Sequence, residues 1–180
     1  MTPVSRECLV YFIHAYSQRI TGRVADYGGA GKWGREVRRL LRPLQINSYI
    51  ALDYTTGIDL MKPIRGKKYD VGICMDLLEH TTNPFVVAKN ITNSLKSGAL
   101  LFVTVPFIWC VHEYPKDYFR FTVDGIKMVF PKLRCLEAQY ASDLDKPVPK
   151  GMVDDIDRLW VTRVVAIFEK IGAPNGSKDG

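Results

Sequence analysis

Short apolar runs that alternate with helix-like segments constrain the fold of this chain more than any other feature of its sequence. The clearest runs lie at 23–27, 48–53, 69–75 and 100–105. Runs without polar alternation are typical of strands buried on both faces, as in a parallel sheet covered by helices. Between the last two runs, residues 84–95 form an amphipathic stretch with proline in its first turn and glycine just past its end, which predicts a helix. The alternation predicts an α/β fold.

The length of 180 residues suits a single domain, and the 47% of apolar residues is usual for a globular protein. We therefore expect one domain over residues 1–171 and a flexible polar tail over residues 172–180. No apolar run approaches the roughly 18 residues of a membrane span. Glu7 and His14 interrupt the apolar residues of the N-terminal segment, which is therefore unlike a signal peptide. The sequence predicts a cytoplasmic protein with no membrane partner.

The four cysteines are widely spaced and form no C-x-x-C pair, which predicts free thiols rather than a zinc or dithiol site. The net charge of +6 permits an acidic substrate but does not identify one. Part of the excess lies in Arg35, Arg38, Arg39 and Arg42. Their spacing places most of them on one helical face, which is either a solvated face or a surface for an anionic substrate.

A pattern that suits a nucleotide-like ligand follows the first apolar run. The run ends near Asp26 and opens into a loop that contains Gly28, Gly29 and Gly31. Glycines at such a point let a ligand approach the backbone. Asp53 ends the next run about 25 residues after Gly28, where dinucleotide folds place the acidic side chain that accepts the ribose hydroxyls. The alternative interpretation of Asp53 is a turn residue ahead of two threonines.

Several segments resemble one known family. They are VADYGGAGKWG (24–34), YIALDY (49–54), YDVGICMDLLEHTTNPF (69–85), LKSGALLFVTVPF (95–107) and HEYPKDYFRFT (112–122). Together they resemble the class I S-adenosylmethionine-dependent methyltransferases, above all the small type-11-like branch, over about residues 22–140. The resemblance implies a Rossmann-like sheet of seven mostly parallel strands with helices on both faces. Residues 160–168 would form the last strand, which is antiparallel.

The resemblance also implies S-adenosylmethionine as the cofactor. Asp26, Gly28 and the backbone that follows, including Gly29 and Gly31, would hold its methionine end. Asp53 would hold the ribose, with Tyr54 beside it, and Met75, Asp76 and Leu77 would line the approach to the sulfonium.

The sequence departs from the family at two places. The family's loop usually reads D-x-G-x-G-x-G, whereas Ala30 stands here at the second glycine and Gly31 follows one place later, which predicts a reshaped loop. For the acidic residue that often holds the adenine amine, Asp59 is the one candidate.

Two histidines, His80 and His112, fall just beyond apolar runs, at the edge where α/β sheets bind substrates. Histidine titrates near physiological pH, so either side chain is a candidate catalytic base for a hydroxyl acceptor. A structural hydrogen-bonding role is the alternative for His80, since family members with different substrates carry the same L-E-H.

The same segments also suggest a metal site. Asp76, Glu79 and His80 have i, i+3, i+4 spacing and would share one face of a helical turn. With His112 they offer ligands for a divalent metal, and some class I methyltransferases that act on catechol-like or RNA ribose hydroxyls look similar here. The alternative is an acidic cluster favoured at a helix start. From the sequence we predict no metal.

The aromatic-rich segment 109–121 is a candidate substrate-binding segment with an anion-binding edge. The predicted substrate residues are Trp109, Tyr114, Tyr118 and Arg120. The alternative is a folded turn fixed by an ion pair between Asp117 and Arg120, with the aromatic side chains in the core.

The sequence therefore predicts S-adenosylmethionine-dependent methyl transfer to a small-molecule acceptor. A nucleic-acid partner is not expected. The alternatives are a nucleotide- or NAD-binding oxidoreductase and a catalytically silent interaction module with the same fold. The identity of the acceptor, the atom that is methylated and the oligomeric state do not follow from the sequence.

Overall fold

The computed structural model describes residues 3–66, 68–112, 116–142 and 161–172. Its strands are β1 Gly22–Tyr27, β2 Ile46–Leu52, β3 Tyr69–Met75, β4 Leu95–Pro106, β5 Arg134–Ser142 and β6 Val161–Glu169. They form one sheet in the order β2-β1-β3-β4-β6-β5. The helices are α1 Pro3–Tyr16, α2 Gly31–Leu41, α3 Pro84–Ser94 and α4 Val123–Val129.

The sheet is parallel except for one strand. β1 pairs in parallel with β2 and β3, and β3 pairs in parallel with β4. β6 lies antiparallel between β4 and β5, which confirms the predicted antiparallel last strand. The carboxyl ends of β1 to β4 consequently meet at one edge of the sheet.

The prediction of seven strands is wrong for the part of the chain that the structure describes, which has six. The segment between β2 and β3 holds a short 3-10 turn, Tyr54–Thr56, and irregular chain. Gly57, Pro63 and Gly66 interrupt this segment, and it contains no apolar run of strand length.

Two of the helices begin directly after a residue whose side chain caps them. Asn83 accepts a hydrogen bond from the backbone N–H of Val86 at 3.2 Å, and Pro84 opens α3, where its missing N–H is not needed. Thr122 caps α4 by accepting from the N–H of Gly125 at 3.0 Å. Helical spacing of apolar residues predicts an opening helix over residues 5–20. In the structure this helix spans Pro3–Tyr16, and a 3-10 turn, Ser17–Arg19, replaces the predicted last turn.

Helices cover both faces of the sheet. On one face α1 and α2 pack on β3 and β4, where the rings of Phe12 and Phe102 stack with centroids 4.9 Å apart. On the other face α3 and α4 bury Ile91 and Ile126 against alternate residues of the same strands, including Leu101. β4 is buried on both sides, which explains its unbroken apolar sequence. Among the described residues, none of the helices has the length and apolar character needed to cross a membrane.

Candidate active site

The predicted cofactor residues lie together at the carboxyl ends of the parallel strands. Asp26 and the loop Gly28–Gly31 are at the end of β1, Asp53 follows β2, and Met75–Leu77 follow β3. We call these residues the strand-end site. Open α/β sheets bind ligands at this edge, beside the point where the strand order reverses, which here is between β1 and β3.

The loop requires glycine at specific places. Gly28 and Gly31 have φ angles of +79° and +77°. A Cβ atom on Gly28 would lie 2.9 Å from Cδ1 of Leu77, and one on Gly29 would lie 2.0 Å from Cγ of Asp26. Ala30 has a φ of −74°, which any residue adopts, so the alanine in the family's second glycine position is compatible with this loop.

Asp26 is buried beneath this loop, with 2% of its surface exposed. Burial raises the pKa of its carboxyl to about 7, although the hydroxyl of Tyr49 donates a hydrogen bond to it. The same hydroxyl lies 3.0 Å from the carbonyl oxygen of Gly34 in α2. Tyr49 therefore ties β1, β2 and α2 together, a role that the sequence analysis missed because Tyr49 reads as one apolar residue of a strand.

Asp53 and Tyr54 lie next to the loop, after β2. One carboxylate oxygen of Asp53 accepts hydrogen bonds from the backbone N–H and the hydroxyl of Thr55, at 2.8 and 2.7 Å. The backbone N–H of Asp53 in turn donates to the hydroxyl of Thr56 at 3.0 Å. The turn role is thus confirmed, and ribose binding stays a prediction. Tyr54 is 84% exposed.

Asp76 has a positive φ of 47°, rare for a residue with a side chain. Its carboxylate accepts hydrogen bonds from the hydroxyls of Ser5 at 2.8 Å and Thr104 at 3.1 Å, and it lies 3.6 Å from Nε of Arg163. The Arg163 guanidinium also stacks on the ring of Trp109, 4.7 Å from its centroid. Arg163 was not among the predicted site residues, although a charged residue inside an apolar strand indicates a specific partner.

The structure brings the two predicted catalytic histidines into contact. The rings of His80 and His112 meet edge to face with centroids 4.9 Å apart. Nδ1 of His80 lies 2.6 Å from the carbonyl oxygen of Lys116. Nδ1 of His112 lies 3.3 Å from the carbonyl oxygen of Cys110 and 3.2 Å from a carboxylate oxygen of Asp117. These bonds fix both rings while leaving Nε2 of each ring for chemistry.

Glu79 is fully buried beside the histidines. Burial, followed by the nearby Asp76, raises the pKa of its carboxyl to about 8. Neither of its carboxylate oxygens has a hydrogen-bond partner in the part of the chain that the structure describes.

The predicted substrate-binding segment is held by an ion pair. Arg120 donates to both oxygens of Asp117, at 2.5 and 2.7 Å, and to the carbonyl oxygen of Cys110 at 3.2 Å. This pairing holds the pKa of the Asp117 carboxyl well below its usual range. The predicted ion pair is therefore confirmed, and contact between Arg120 and a substrate stays a prediction.

The aromatic side chains of the segment are divided between core and surface. Phe121 is buried, whereas Tyr118 is half exposed. Trp109 packs under Arg163. Tyr114, the remaining predicted substrate residue, lies outside the described residues.

Two other sequence predictions are clear in the structure. All four cysteines are free thiols, as expected. The four arginines of the predicted basic face are exposed on or just after α2, and Arg39 pairs with Glu36 at 3.0 Å.

No family model matches the chain, and none of the curated proteins matches it. Solved structures do. An S-adenosylmethionine-dependent methyltransferase from Clostridium acetobutylicum has a TM-score of 0.64 and 11% identity, over 95% of this chain and 93% of the other. The 1,6-didemethyltoxoflavin-N1-methyltransferase of Burkholderia thailandensis, with bound S-adenosylhomocysteine, has a TM-score of 0.66 and 13% identity, over 93% of this chain and 79% of the other. The cyclase SpnF matches with a TM-score of 0.65 and 13% identity, over 91% of this chain and 82% of the other.

These neighbours establish a fold and leave the reaction to be argued from the residues, because their identities are low and one of them is named a cyclase. The antiparallel β6 and the glycine loop after β1 agree with what the resemblance of the sequence implies. The chain has the fold of the class I S-adenosylmethionine-dependent methyltransferases.

Proposed function

We propose that the chain binds S-adenosylmethionine at the strand-end site and transfers its methyl group to a small-molecule acceptor. The observation that carries this proposal is the glycine loop folded over buried Asp26 at the switch point of a methyltransferase fold. A Cβ atom added to Gly31 would meet no described atom within 4 Å, so the outer side of the loop has room for a ligand.

The chemistry of the site suits the methionine end of the cofactor. Ala30 supplies no side-chain cap to the first turn of α2, and a helix start whose N–H groups lack such a cap attracts a carboxylate. The ammonium group would pair with Asp26, whose buried carboxylate is costly to ionise without a cation nearby. The carboxylate oxygen of Asp53 that does not bond Thr55 is the candidate for the ribose hydroxyls.

The rate of methyl transfer depends mainly on how well the protein aligns the methyl donor and the acceptor. The acceptor attacks the methyl carbon in line, the carbon–sulfur bond breaks, and S-adenosylhomocysteine leaves. Correct orientation alone lowers such a barrier by about 7–11 kcal/mol in favourable cases. For a hydroxyl acceptor the proton must also leave, and we propose that His80 and His112 assist this step. Trp109, Tyr118 and Arg120 are the described candidates for contact with the acceptor, and the positive net charge tolerates an acidic group on it.

Titration calorimetry with S-adenosylhomocysteine tests cofactor binding. We expect the parent to bind S-adenosylhomocysteine and not NAD, and Gly28→Val to lose binding because the side chain strains the loop and meets Leu77. The matched control is Gly98→Val. Gly98 has a similar φ of +76° and open surroundings, but lies near the start of β4, at the opposite edge of the sheet. Binding of NAD instead, or equal binding by parent and Gly28→Val, would refute the proposed cofactor site.

A second experiment asks about the acceptor without assuming one. Cell extract is incubated with the protein and an isotopically labelled methyl donor, and mass spectrometry follows the label. A labelled small molecule that forms with the parent and not with Gly28→Val supports methyl transfer. Binding of S-adenosylhomocysteine without any labelled product would favour the silent interaction module.

A further inference from the structure

Three side chains of the types that bind metals converge beside the strand-end site. Glu79 and His80 belong to the 3-10 turn Leu78–His80 after β3, and His112 lies in the segment after β4. One ligand atom from each lies within 4.8 Å of the other two. Nε2 of His80 is 3.7 Å from a carboxylate oxygen of Glu79. These separations suit three groups around one ion.

The buried carboxylate of Glu79 lacks the partners that such a group normally has. Its side chain is 0% exposed, and both oxygens are without a hydrogen-bond partner among the described residues. A buried polar group without a partner is strongly unfavourable, and a buried carboxylate more so. Nε2 of His80 lies 3.7 Å from one of these oxygens. A cation between the carboxylate and the imidazoles would satisfy the oxygens and offset the burial.

The remaining nitrogens of the two rings are already used in the way that metal-bound histidines use them. A carbonyl oxygen only accepts, so Nδ1 of His80 carries the proton that it donates to Lys116, and Nε2 keeps a lone pair. Nδ1 of His112 lies 3.3 Å from the carbonyl oxygen of Cys110 and 3.2 Å from the carboxylate of Asp117, which the bidentate pairing with Arg120 holds in place. Histidines that bind metals typically donate their other N–H to a carbonyl or a carboxylate.

We propose that Glu79, His80 and His112 bind a divalent transition-metal cation, with water or an acceptor oxygen in its remaining positions. One carboxylate and two imidazoles favour first-row transition metals over Mg²⁺ or Ca²⁺, which prefer oxygen ligands. The site is accessible, since the side chains of His80 and His112 are 15% and 34% exposed. This proposal departs from the sequence-based prediction of no metal.

Sequence spacing could not define this ligand set. It grouped Asp76 with the other ligands, whereas Asp76 is turned to Ser5, Thr104 and Arg163. It also gave no sign that the carboxylate of Glu79 would be buried without a partner.

Cation binding does not depend on the proposed function, but its use in catalysis does. A cation at this place would lower the pKa of a bound hydroxyl acceptor, so that the proton leaves to solvent before the oxygen attacks the methyl carbon. The two histidines would then serve the acceptor through the cation rather than as free bases.

The test is titration of metal-free protein with Co²⁺, followed by its d–d absorption. We expect one Co²⁺ per chain and no thiolate-to-cobalt charge-transfer band. The variants Glu79→Gln, His80→Ala and His112→Ala should each weaken binding by about 100-fold or more. Asp117→Asn, which alters the partner of one ligand, should weaken it by about 10- to 100-fold. His14→Ala is the matched control, because His14 is exposed on α1 and should bind no cobalt at this site.

Thermal melting of Glu79→Gln separates ligand loss from misfolding. In the presence of a chelator this variant should melt no lower than the parent, because it replaces a buried carboxyl group that has no hydrogen-bond partner among the described residues with an amide of similar size. Co²⁺ should raise the melting temperature of the parent and not that of the variant. The proposal fails if the parent binds no Co²⁺ at millimolar concentration, if the variants bind like the parent, or if Glu79→Gln melts lower in chelator.

Binding of S-adenosylhomocysteine by Glu79→Gln separates the two proposals. We expect its affinity to equal that of the parent, since the cofactor residues are unchanged. If only the metal proposal is wrong, the protein will bind S-adenosylhomocysteine but not Co²⁺. If only the cofactor proposal is wrong, it will bind Co²⁺ but not S-adenosylhomocysteine.

Discussion

Asp26 shows how a single residue serves both the fold and the proposed site. Its carboxylate lies under the backbone of Gly29 so closely that no side chain fits between them. The sequence identified the acid and the glycines as a pair. It could not show that the carboxyl would be buried, or that Tyr49 from the neighbouring strand would bond it, because such contacts depend on strand register.

The pKa of Asp26 predicts a dependence of stability on pH. A carboxyl whose pKa is raised from 3.8 to about 7 in the folded state holds its proton more tightly there than in the unfolded chain. The free energy of unfolding therefore falls as pH rises from about 4 to about 7, and Asp26→Asn removes this loss. Urea unfolding at each pH gives the free energy of unfolding of Asp26→Asn minus that of the parent. This difference should be about 2 kcal/mol larger at pH 8 than at pH 5.

Asp124→Asn is the control for this measurement, because Asp124 is 92% exposed and its substitution should have the same effect at both pH values. A gain for Asp26→Asn that does not change with pH would mean that the Asp26 carboxyl is ionised in the folded protein throughout this range.

The variant His112→Ala should have a lower rate of methyl transfer but an unchanged affinity for the cofactor. If the acceptor is a hydroxyl, loss of the imidazole should lower the rate of methyl transfer by about 10²- to 10⁴-fold, whether the ring acts as a base or through a cation. The affinity for S-adenosylhomocysteine should stay unchanged, since His112 lies outside the strand-end site. Rate measurements on the parent, His112→Ala and His14→Ala would check this, and equal rates in all three would remove His112 from the mechanism.

At the level of elements, sequence patterns located most strands and helices but not what lies between them. β3 matches its predicted bounds, because an apolar run bounded by charged and turn residues has one way to be buried. β4 begins five residues earlier than predicted, at Leu95 rather than Leu100, and its register with β3 shifts in this stretch. The missing seventh strand came from the resemblance and not from an apolar run of this chain.

The turn after β2 gives a prediction that separates two roles of one side chain. Asp53→Ala should weaken binding of S-adenosylhomocysteine by several-fold or more if the carboxylate holds the ribose. It should also destabilise the protein by about 1 kcal/mol, since Asp53 caps the turn. Thr56→Ala removes the other half of the same capping box and leaves the carboxylate in place.

Calorimetry and urea unfolding of both variants would decide the role of Asp53. A loss of affinity in Asp53→Ala alone supports the ribose role. An equal loss in both variants would show that the carboxylate acts only through the shape of the turn.

At the scale of the whole molecule, the strand-end site depends on parts of the chain that are far apart in sequence. Ser5 of α1, Asp76 after β3 and Arg163 of β6 meet in one hydrogen-bonded group. No local pattern predicts such a group, because its members come together only when the sheet order is complete. The first helix and the last strand thereby hold the residue predicted to line the approach to the sulfonium.

This arrangement predicts that two arginines of adjacent strands differ sharply in their contribution to stability. Arg163 is 2% exposed, and removal of one partner of a buried ion pair typically costs about 3–5 kcal/mol. We expect Arg163→Met to lower the free energy of unfolding by about 3 kcal/mol, the low end of this range. The loss is at the low end because Nη1 of Arg163 has no hydrogen-bond partner among the described residues. Arg134→Met breaks an ion pair with Glu169 in which the arginine is 60% exposed, and should cost less than about 1 kcal/mol. Urea unfolding with unchanged m-values would measure both, and equal losses would mean that the group around Asp76 does not hold the first helix, the third strand and the last strand together.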